Sequence, residues 1–235
     1  MDEKSNSFYK FSERGNAMIY VLIIVALFGA LSFVLSRQSD TGESGVVSEE
    51  QIGIHAAVIQ NAAAQLMQSI EQMSYSGTDS SQLNFITPDD AAFDTGSDIH
   101  KVFHPTGGGA SLPRIPNEAL DEISADPPAR WYIGRFNNVE WTPSTADDVI
   151  LTAHQITQDV CGLLNEKLTG SSTIPELASP ANELLIDASE STAGANIAFT
   201  SAQCTVPADC YGKPALCVKD NGVNAWSFFS LILSE

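Results

Sequence analysis

Four cysteines have the most definite chemistry in this sequence: Cys161, Cys204, Cys210 and Cys217. In a protein exported from the cytoplasm, an even number of cysteines predicts disulfides, here two. Zinc knuckles need closer cysteine pairs than these spacings provide. Four cysteines allow three pairings, and each pairing ties Cys161 to the C-terminal segment. The sequence does not choose among the three.

His100 and His104 are four residues apart, the spacing at which two helical imidazoles converge on one metal ion. Pro105 disfavours helical geometry at His104, and the surrounding residues favour a strand. On a strand, residues with this separation lie about 13 Å apart, too far to bind the same ion. We therefore expect packed or solvated histidines and no metal site.

An acidic group with turn-forming residues precedes these histidines: Asp89, Asp90, Asp94, Gly96, Ser97 and Asp98. A turning loop with several carboxylates could bind Ca²⁺, which prefers oxygen ligands. The spacing does not match an EF-hand loop, and carboxylates cluster by chance in an acidic chain. A solvated acidic loop is the favoured interpretation, and a calcium site is the alternative.

No set of residues predicts catalysis. The glycine-rich run 104–109 is similar to the oxyanion loop of esterases, but no G-x-S-x-G nucleophile elbow accompanies it. The sequence also lacks a Walker loop, a C-x-x-C pair and a dinucleotide-binding fingerprint. We expect no enzymatic activity and no cofactor, and a membrane-anchored hydrolase is the weakest of three functional hypotheses.

The most distinct structural element in the sequence is an apolar stretch, residues 17–36, which contains neither charge nor proline. It precedes the part of the chain that contains all of these residues. As a helix it would be about 30 Å long, the thickness of a bilayer's hydrocarbon core. Signal peptides have shorter apolar cores and a small-residue cleavage site, which is missing here. The stretch predicts one transmembrane helix over residues 16–37.

Small residues occur within this span at Ala26, Gly29 and Ala30. Their spacing of three and four residues makes a flat stripe at which another membrane helix could approach closely. Small residues are also common in single spans, so packing and simple composition are both open explanations.

Charge predicts the orientation of the span. Three basic residues precede it, and only Arg37 follows closely, which predicts an N-terminus in the cytoplasm and a C-terminal domain outside the inner membrane. Residues 38–235 contain seven basic and 26 acidic residues, a formal charge of −19. Such a domain repels DNA and anionic lipids, so we expect no nucleic-acid partner.

The N-terminus resembles the prepilins of the type IV pilin and pseudopilin family. A short leader, residues 1–15, ends in Arg14-Gly15 directly before the apolar stretch. The resemblance implies cleavage between Gly15 and Asn16 by a prepilin peptidase. It also implies an anchor helix that packs against other pilin-like subunits or secretion-machine proteins. Tyr20 would be the fifth mature residue, where most members have Glu; the K-type pseudopilins and some minor pilins can lack that Glu.

A second hypothesis keeps the leader. In this interpretation the chain is an uncleaved signal-anchor protein of the envelope, with a periplasmic domain that binds a partner. The two hypotheses differ in the fate of the bond between Gly15 and Asn16.

The remaining sequence predicts an α+β domain over residues 48–235, with a linker over 38–47 that is either a break or a melted part of one long helix. Ser48 is a predicted N-cap. The helix behind it has an apolar stripe at helical spacing that predicts packing on the domain's own sheet. The stripe comprises Ile52, Ala56, Ile59, Ala63, Leu66, Ile70 and Met73.

A second helix is predicted to begin near Ser144 and to end at Gly170. Its predicted apolar face contains Val149, Ala153, Ile156, Val160, Leu164 and Leu168. Short strands of a small antiparallel sheet are predicted at 83–87, 99–104, 130–141, 195–202, 216–219 and 225–233, with 107–128 a surface loop. The last strand is apolar enough to be central, and disulfides brace the C-terminal region.

Overall fold

The computed structural model describes residues 20–29, 43–192 and 194–234, with side chains from residue 48 onward in the second range. The chain divides into two units, Met1–Glu50 and Gln51–Glu235. In the first unit, residues 20–29 are helical and exposed. Among the described residues, no helix has both the length and the apolarity to cross a membrane. The other residues of the predicted span, 16–19 and 30–37, lie outside the described ranges.

A four-stranded antiparallel sheet forms the centre of the second unit, in the order β1-β2-β4-β3. The strands are β1 (Trp131–Asn137), β2 (Asp148–Ile156), β3 (Ala215–Lys219) and β4 (Trp226–Leu233). The predicted last strand is confirmed, and it is central because β2 and β3 flank it. A turn at Asp220 joins β3 to β4, where the Asp220 carboxylate accepts a hydrogen bond from the Gly222 amide at 2.7 Å.

Beyond the helical segment 20–29, two longer helices and several single turns complete the described elements, so the predicted α+β class is confirmed. The helices are α1 (Glu43–Tyr75), α2 (Gln158–Thr169), α3 (Ala181–Leu184) and α4 (Pro207–Cys210). Short 3₁₀ turns occur at Ser80–Gln82, Asn117–Ala119, Ala188–Glu190 and Ser201–Gln203.

Helix α1 begins at Glu43, five residues before the predicted cap at Ser48. The predicted break therefore does not cover residues 43–47, which continue the helix. The predicted stripe is confirmed: its members from Ala56 to Met73 are at most 5% exposed. They belong to one apolar core with Leu151 and Phe228 of the sheet and with Leu164 of α2.

A second apolar core lies on the other face of the sheet. Ile150 and Phe229 are adjacent in sequence to Leu151 and Phe228, and successive strand residues point to opposite faces. They pack with buried residues from the irregular segment between α2 and β3, which include Leu177, Leu184, Leu185 and Phe199. The sheet is therefore covered on both faces, by helices on one side and by turns and loops on the other.

The predicted second helix is wrong over its first half. Residues 148–156 form β2, the helix begins only after Thr157, and Ser144 is not its cap. All nine residues of β2 are buried, so the strand carries apolar side chains on both faces and loses the alternation typical of strands. The predicted C-terminus is confirmed, since Gly170 caps α2 with a left-handed φ of 79°.

Three predicted strands are also wrong. Segments 83–87 and 99–104 share a single bridge between Asn84 and Lys101, and 195–202 contributes one bridge from Phe199 to Val139. The strand predicted at 130–141 is shorter, Trp131–Asn137. These segments have strand-like composition, but each forms only an isolated bridge and none belongs to the four-stranded sheet.

Candidate functional site

Two disulfides join the four cysteines, which confirms the predicted number of bonds. Cys161 in α2 is bonded to Cys217 in β3 across a sequence separation of 56. Cys204 is bonded to Cys210 across a separation of 6. All four cysteines are buried. The fold chooses the pairing because it brings α2 directly onto β3.

The acidic loop before the histidines encloses a cation from this chain. Lys101 is 3% exposed, and its Nζ donates hydrogen bonds to the carbonyls of Ala92 (3.3 Å), Phe93 (2.5 Å) and Thr95 (2.7 Å). It also donates to the Asp98 carboxylate at 2.6 Å. The hydrogen bond from Lys101 is the main reason that the pKa of Asp98 is lowered. Of the residues in the calcium alternative, the ammonium therefore bonds to one, Asp98.

His100 and His104 have different surroundings. His104 Nε2 lies 3.5 Å from Asp94 Oδ1, and its Nδ1 is 2.7 Å from Thr106 Oγ1. His100 Nδ1 is buried and has no hydrogen-bond partner in the part of the chain that the structure describes. Within that same part, no group of three or more His, Cys, Asp or Glu side chains could hold a metal ion.

The predicted processing and membrane-packing residues fall mostly outside the described ranges, as Gly15, Asn16 and Ala30 do. Ala26 and Gly29 lie in the exposed helical segment 20–29. A methyl group added at Gly29 would meet no atom within 4 Å. Cleavage after Gly15 and packing at the small-residue stripe therefore stay predictions.

A groove with a volume of about 880 Å³ lies beside β1 in the described part of the second unit. We call it the β1 groove. Apolar side chains from three parts of the chain line it, including Phe85, Phe103, Trp131, Tyr132, Ile133 and Phe136. Trp131 and Ile133 pack with the helix-side core, whereas Phe136 packs with the opposite core. The groove therefore follows the sheet edge and borders both of its faces.

Hydrogen bonds fix the walls of the β1 groove to the strand. Trp131 Nε1 donates to the Pro113 carbonyl at 2.8 Å, and the Tyr132 hydroxyl donates to the Pro128 carbonyl at 2.7 Å. Burial raises the pKa of Tyr132, so its hydroxyl remains a neutral donor. These contacts hold the irregular segment 105–130 against β1.

Four carboxylates and two guanidinium groups also line the groove: Asp89, Asp90, Asp187, Glu190, Arg114 and Arg130. Arg130 is paired with Glu190, and its guanidinium carbon lies 4.8 Å from the centre of the Tyr132 ring. Among the described residues that line this groove there is no histidine or cysteine. Apolar surface with a few charged groups is typical of a binding site.

A smaller pocket of about 160 Å³ adjoins His154 and Asp220. The imidazole is 4% exposed, and its Nδ1 is 2.8 Å from Ser227 Oγ. These residue types match those of a hydrolytic triad, but the Asp220 carboxylate accepts hydrogen bonds from the backbone amides of Ala181 and Gly222. Ser227 is completely buried, so a substrate could not reach its hydroxyl. The group is structural.

Gln155 has the unusual backbone of this region, with a φ of 56°. Its side-chain oxygen accepts hydrogen bonds from the amides of Ile123 and Ser124, and its Nε2 donates to the carbonyls of Ser124 and Pro127. Four hydrogen bonds thus fasten the loop over residues 121–127 to the end of β2. These hydrogen bonds explain why Gln155 is held in a left-handed backbone conformation.

Sequence reasoning missed the β1 groove and the buried His154. The aromatic and β-branched residues after Arg130 predict a strand over 130–141, but not that this strand lies at the sheet edge. His154 was assigned to a helix because residues 148–156 are apolar at helical spacing. Both features depend on contacts between residues that are far apart in the chain.

Comparisons with protein-family models, curated proteins and solved structures found no match. Function must therefore be inferred from this chain's own residues.

Proposed function

We propose that this chain is a pilin-like, membrane-anchored structural subunit, a minor pilin or pseudopilin, of a bacterial filament or secretion system. The observation that carries the proposal is the Arg14-Gly15 junction directly before twenty uncharged, proline-free residues. Peptidase cleavage there would leave an anchor helix at the mature N-terminus. The domain that follows would lie outside the inner membrane.

Features of the second unit are compatible with this function. The buried stripe of α1 shares its core with an antiparallel sheet, and Cys161–Cys217 fastens α2 to that sheet. Disulfide-stapled C-terminal regions are frequent in pilin domains. An exported location would also allow both disulfides to form and persist.

The test is the N-terminus of the mature protein. The full-length chain would be expressed in bacteria with and without a prepilin peptidase, extracted from membranes and examined by N-terminal sequencing and intact mass. We expect a chain that begins at Asn16 only when the peptidase is present. An intact N-terminus in both strains would contradict the proposal.

Variants make the test specific. Gly15→Ile places a branched side chain at the scissile bond and is expected to block processing. Ser7→Ile adds a similar side chain eight residues upstream and is expected to leave processing unchanged. Equal processing of both variants would show that the junction is not recognised as proposed.

The β1 groove favours a second candidate function, an uncleaved signal-anchor protein whose domain binds a partner. This second candidate predicts no cleavage between Gly15 and Asn16, so the membrane-bound protein would retain residues 1–15. The two candidates share the location of the domain and differ in what the N-terminus does.

A further inference from the structure

We propose that the β1 groove binds an extended, basic polypeptide segment that adds as a fifth strand beside β1. The occupant would have apolar side chains at alternate positions and lysine or arginine between them. The inference concerns the second unit alone and holds whether or not Gly15 is cleaved.

The backbone of β1 is the first support. The Arg130 carbonyl accepts a hydrogen bond from the His154 amide at 3.0 Å, and Trp131 lies opposite Ala153 in the β1–β2 register. In an antiparallel pair the bonded residues alternate, so the amides and carbonyls of Trp131 and Ile133 point away from β2. Among the described residues, none of these four backbone groups has a hydrogen-bond partner. They are an available edge for strand addition.

The shape of the groove is the second support. It borders side chains on both faces of β1, Ile133 on one face and Phe136 on the other. An added strand places successive side chains on opposite faces and would use both surfaces. The seven residues of β1 span about 23 Å, enough for a segment of similar length.

Charge selects the chemistry of the occupant. Four carboxylates and two guanidinium groups line the groove, and Glu190 already neutralises Arg130. The other three carboxylates, Asp89, Asp90 and Asp187, face one remaining cation, Arg114, so the lining keeps a formal charge of −2 on a domain with a formal charge of −19. A basic segment would be attracted at long range and an acidic one repelled.

The experiment uses the full-length chain in detergent micelles and a seven-residue probe of alternating valine and lysine, acetylated and amidated. A matched probe replaces each lysine with glutamate. Calorimetry at low ionic strength is expected to show at least tenfold weaker binding of the glutamate probe. Equal affinities of the two probes would overturn the proposed charge selection.

Two substitutions test the backbone contact. Ile133→Pro removes the outward amide while keeping an apolar side chain, and proline is tolerated at such edge positions. It is expected to weaken binding of the lysine probe at least tenfold. Ile133→Val keeps the amide and is expected to change affinity less than twofold. Equal binding by the two variants would exclude strand addition.

Hydrogen exchange of the unsubstituted chain decides the matter if Ile133→Pro does not fold. The lysine probe is expected to slow exchange over residues 130–136 at least tenfold. Unchanged exchange there, at a concentration that saturates binding, would refute the proposed location. If residues 130–136 were protected without the probe, and their exchange slowed further as the protein concentration rose, the occupant would be a second copy of this chain. That result would overturn the proposal.

Discussion

His154 shows how burial controls the charge of a single residue. Its imidazole is 4% exposed, next to Ser227 and 6.0 Å from the Tyr132 ring. Burial lowers its pKa from 6.5 to about 4, although the Asp220 carboxylate acts in the opposite direction. In the folded protein this histidine is therefore neutral at pH values at which it would be charged in the unfolded chain.

This difference predicts an acid-sensitive stability. Between pH 6.5 and about 4 the unfolded chain binds the extra proton, so the contribution of His154 is full above pH 6.5 and is lost as the pH falls. The unfolding free energy lost between these two pH values is about 3 kcal/mol. Denaturant unfolding at several pH values would measure it, with His154→Gln as the control that lacks the titration. The same pH dependence in both proteins would contradict this cause.

Lys101 is the residue on which the acidic loop depends. Lys101→Met removes a cation that satisfies three carbonyls and one carboxylate, leaving these oxygens without that donor. We expect a loss of about 3 kcal/mol in unfolding free energy. Lys167→Met, at an exposed position of α2, is the matched control and is expected to change stability by less than about 0.5 kcal/mol.

The same geometry predicts the response to calcium. Because the ammonium already bonds to the Asp98 carboxylate and places a positive charge inside the loop, millimolar CaCl₂ is expected to leave the melting temperature of the unsubstituted chain unchanged. A calcium-dependent increase that Asp98→Asn abolishes would restore the calcium alternative.

At the scale of elements, the two disulfides close loops of very different length. The chain-entropy model assigns about 4 kcal/mol to a closed loop the size of Cys161–Cys217 and about 2 kcal/mol to one the size of Cys204–Cys210. Replacing both members of the first pair by alanine is therefore expected to lower the unfolding free energy more. Denaturant titration of the two double variants measures the difference. A greater loss from the second pair would show that loop entropy does not determine their contribution.

The elements also show what the sequence could predict. The stripe of α1 was predicted correctly because only one face of that helix is buried, which produces clear helical spacing from Ala56 to Met73. The pattern does not predict β2, because all nine of its residues are buried on one face or the other, polar residues included, and apolar and polar residues do not alternate along it. Val149, Ala153 and Ile156 then coincide with helical spacing by composition. The β-branched residues Val149, Ile150 and Thr152 were the local signal for a strand.

Local sequence signals of this kind do not predict the β1 groove. Its lining comes from Phe85, Phe103 and the 131–136 strand, brought together by bonds such as Trp131 to Pro113. Sequence patterns predict the strand, but the order β1-β2-β4-β3 decides that it is an edge. The disulfide pairing depends on the same long-range arrangement.

At the scale of the whole molecule, charge and chain architecture agree. The acidic residues lie mostly beyond Arg37, so an exported domain would have a formal charge of −19 whereas the first sixteen residues are neutral in sum. Two such domains repel each other, so in the proposed filament or secretion system the subunit contacts would have to overcome that repulsion. Under that proposal, the uncharged residues 17–36 would be the part of the chain best suited to drive assembly.

The two cores on opposite faces of one sheet make a prediction about the second unit as a whole. Phe228 and Phe229 are adjacent in β4, both at most 1% exposed, and they belong to different cores. Neither core can unfold without the strand that supplies the other. We therefore expect Phe228→Ala and Phe229→Ala each to cost about 3–5 kcal/mol and to lower one shared transition.

Far-ultraviolet circular dichroism is dominated by the helices, which lie on one face of the sheet. Trp131 and Trp226 also pack on that side, so both are replaced by phenylalanine in every protein of this series. Tryptophan fluorescence then reports only Trp141, beside Phe199 on the other face. Both signals should shift together in each variant. Val206→Ala, at a position 53% exposed, is the control for a surface change and is expected to leave the transition in place. If Phe229→Ala lowered only the fluorescence transition, the two cores would be independent units. That result would show that the sheet shared by the two cores does not make the unfolding of the domain cooperative.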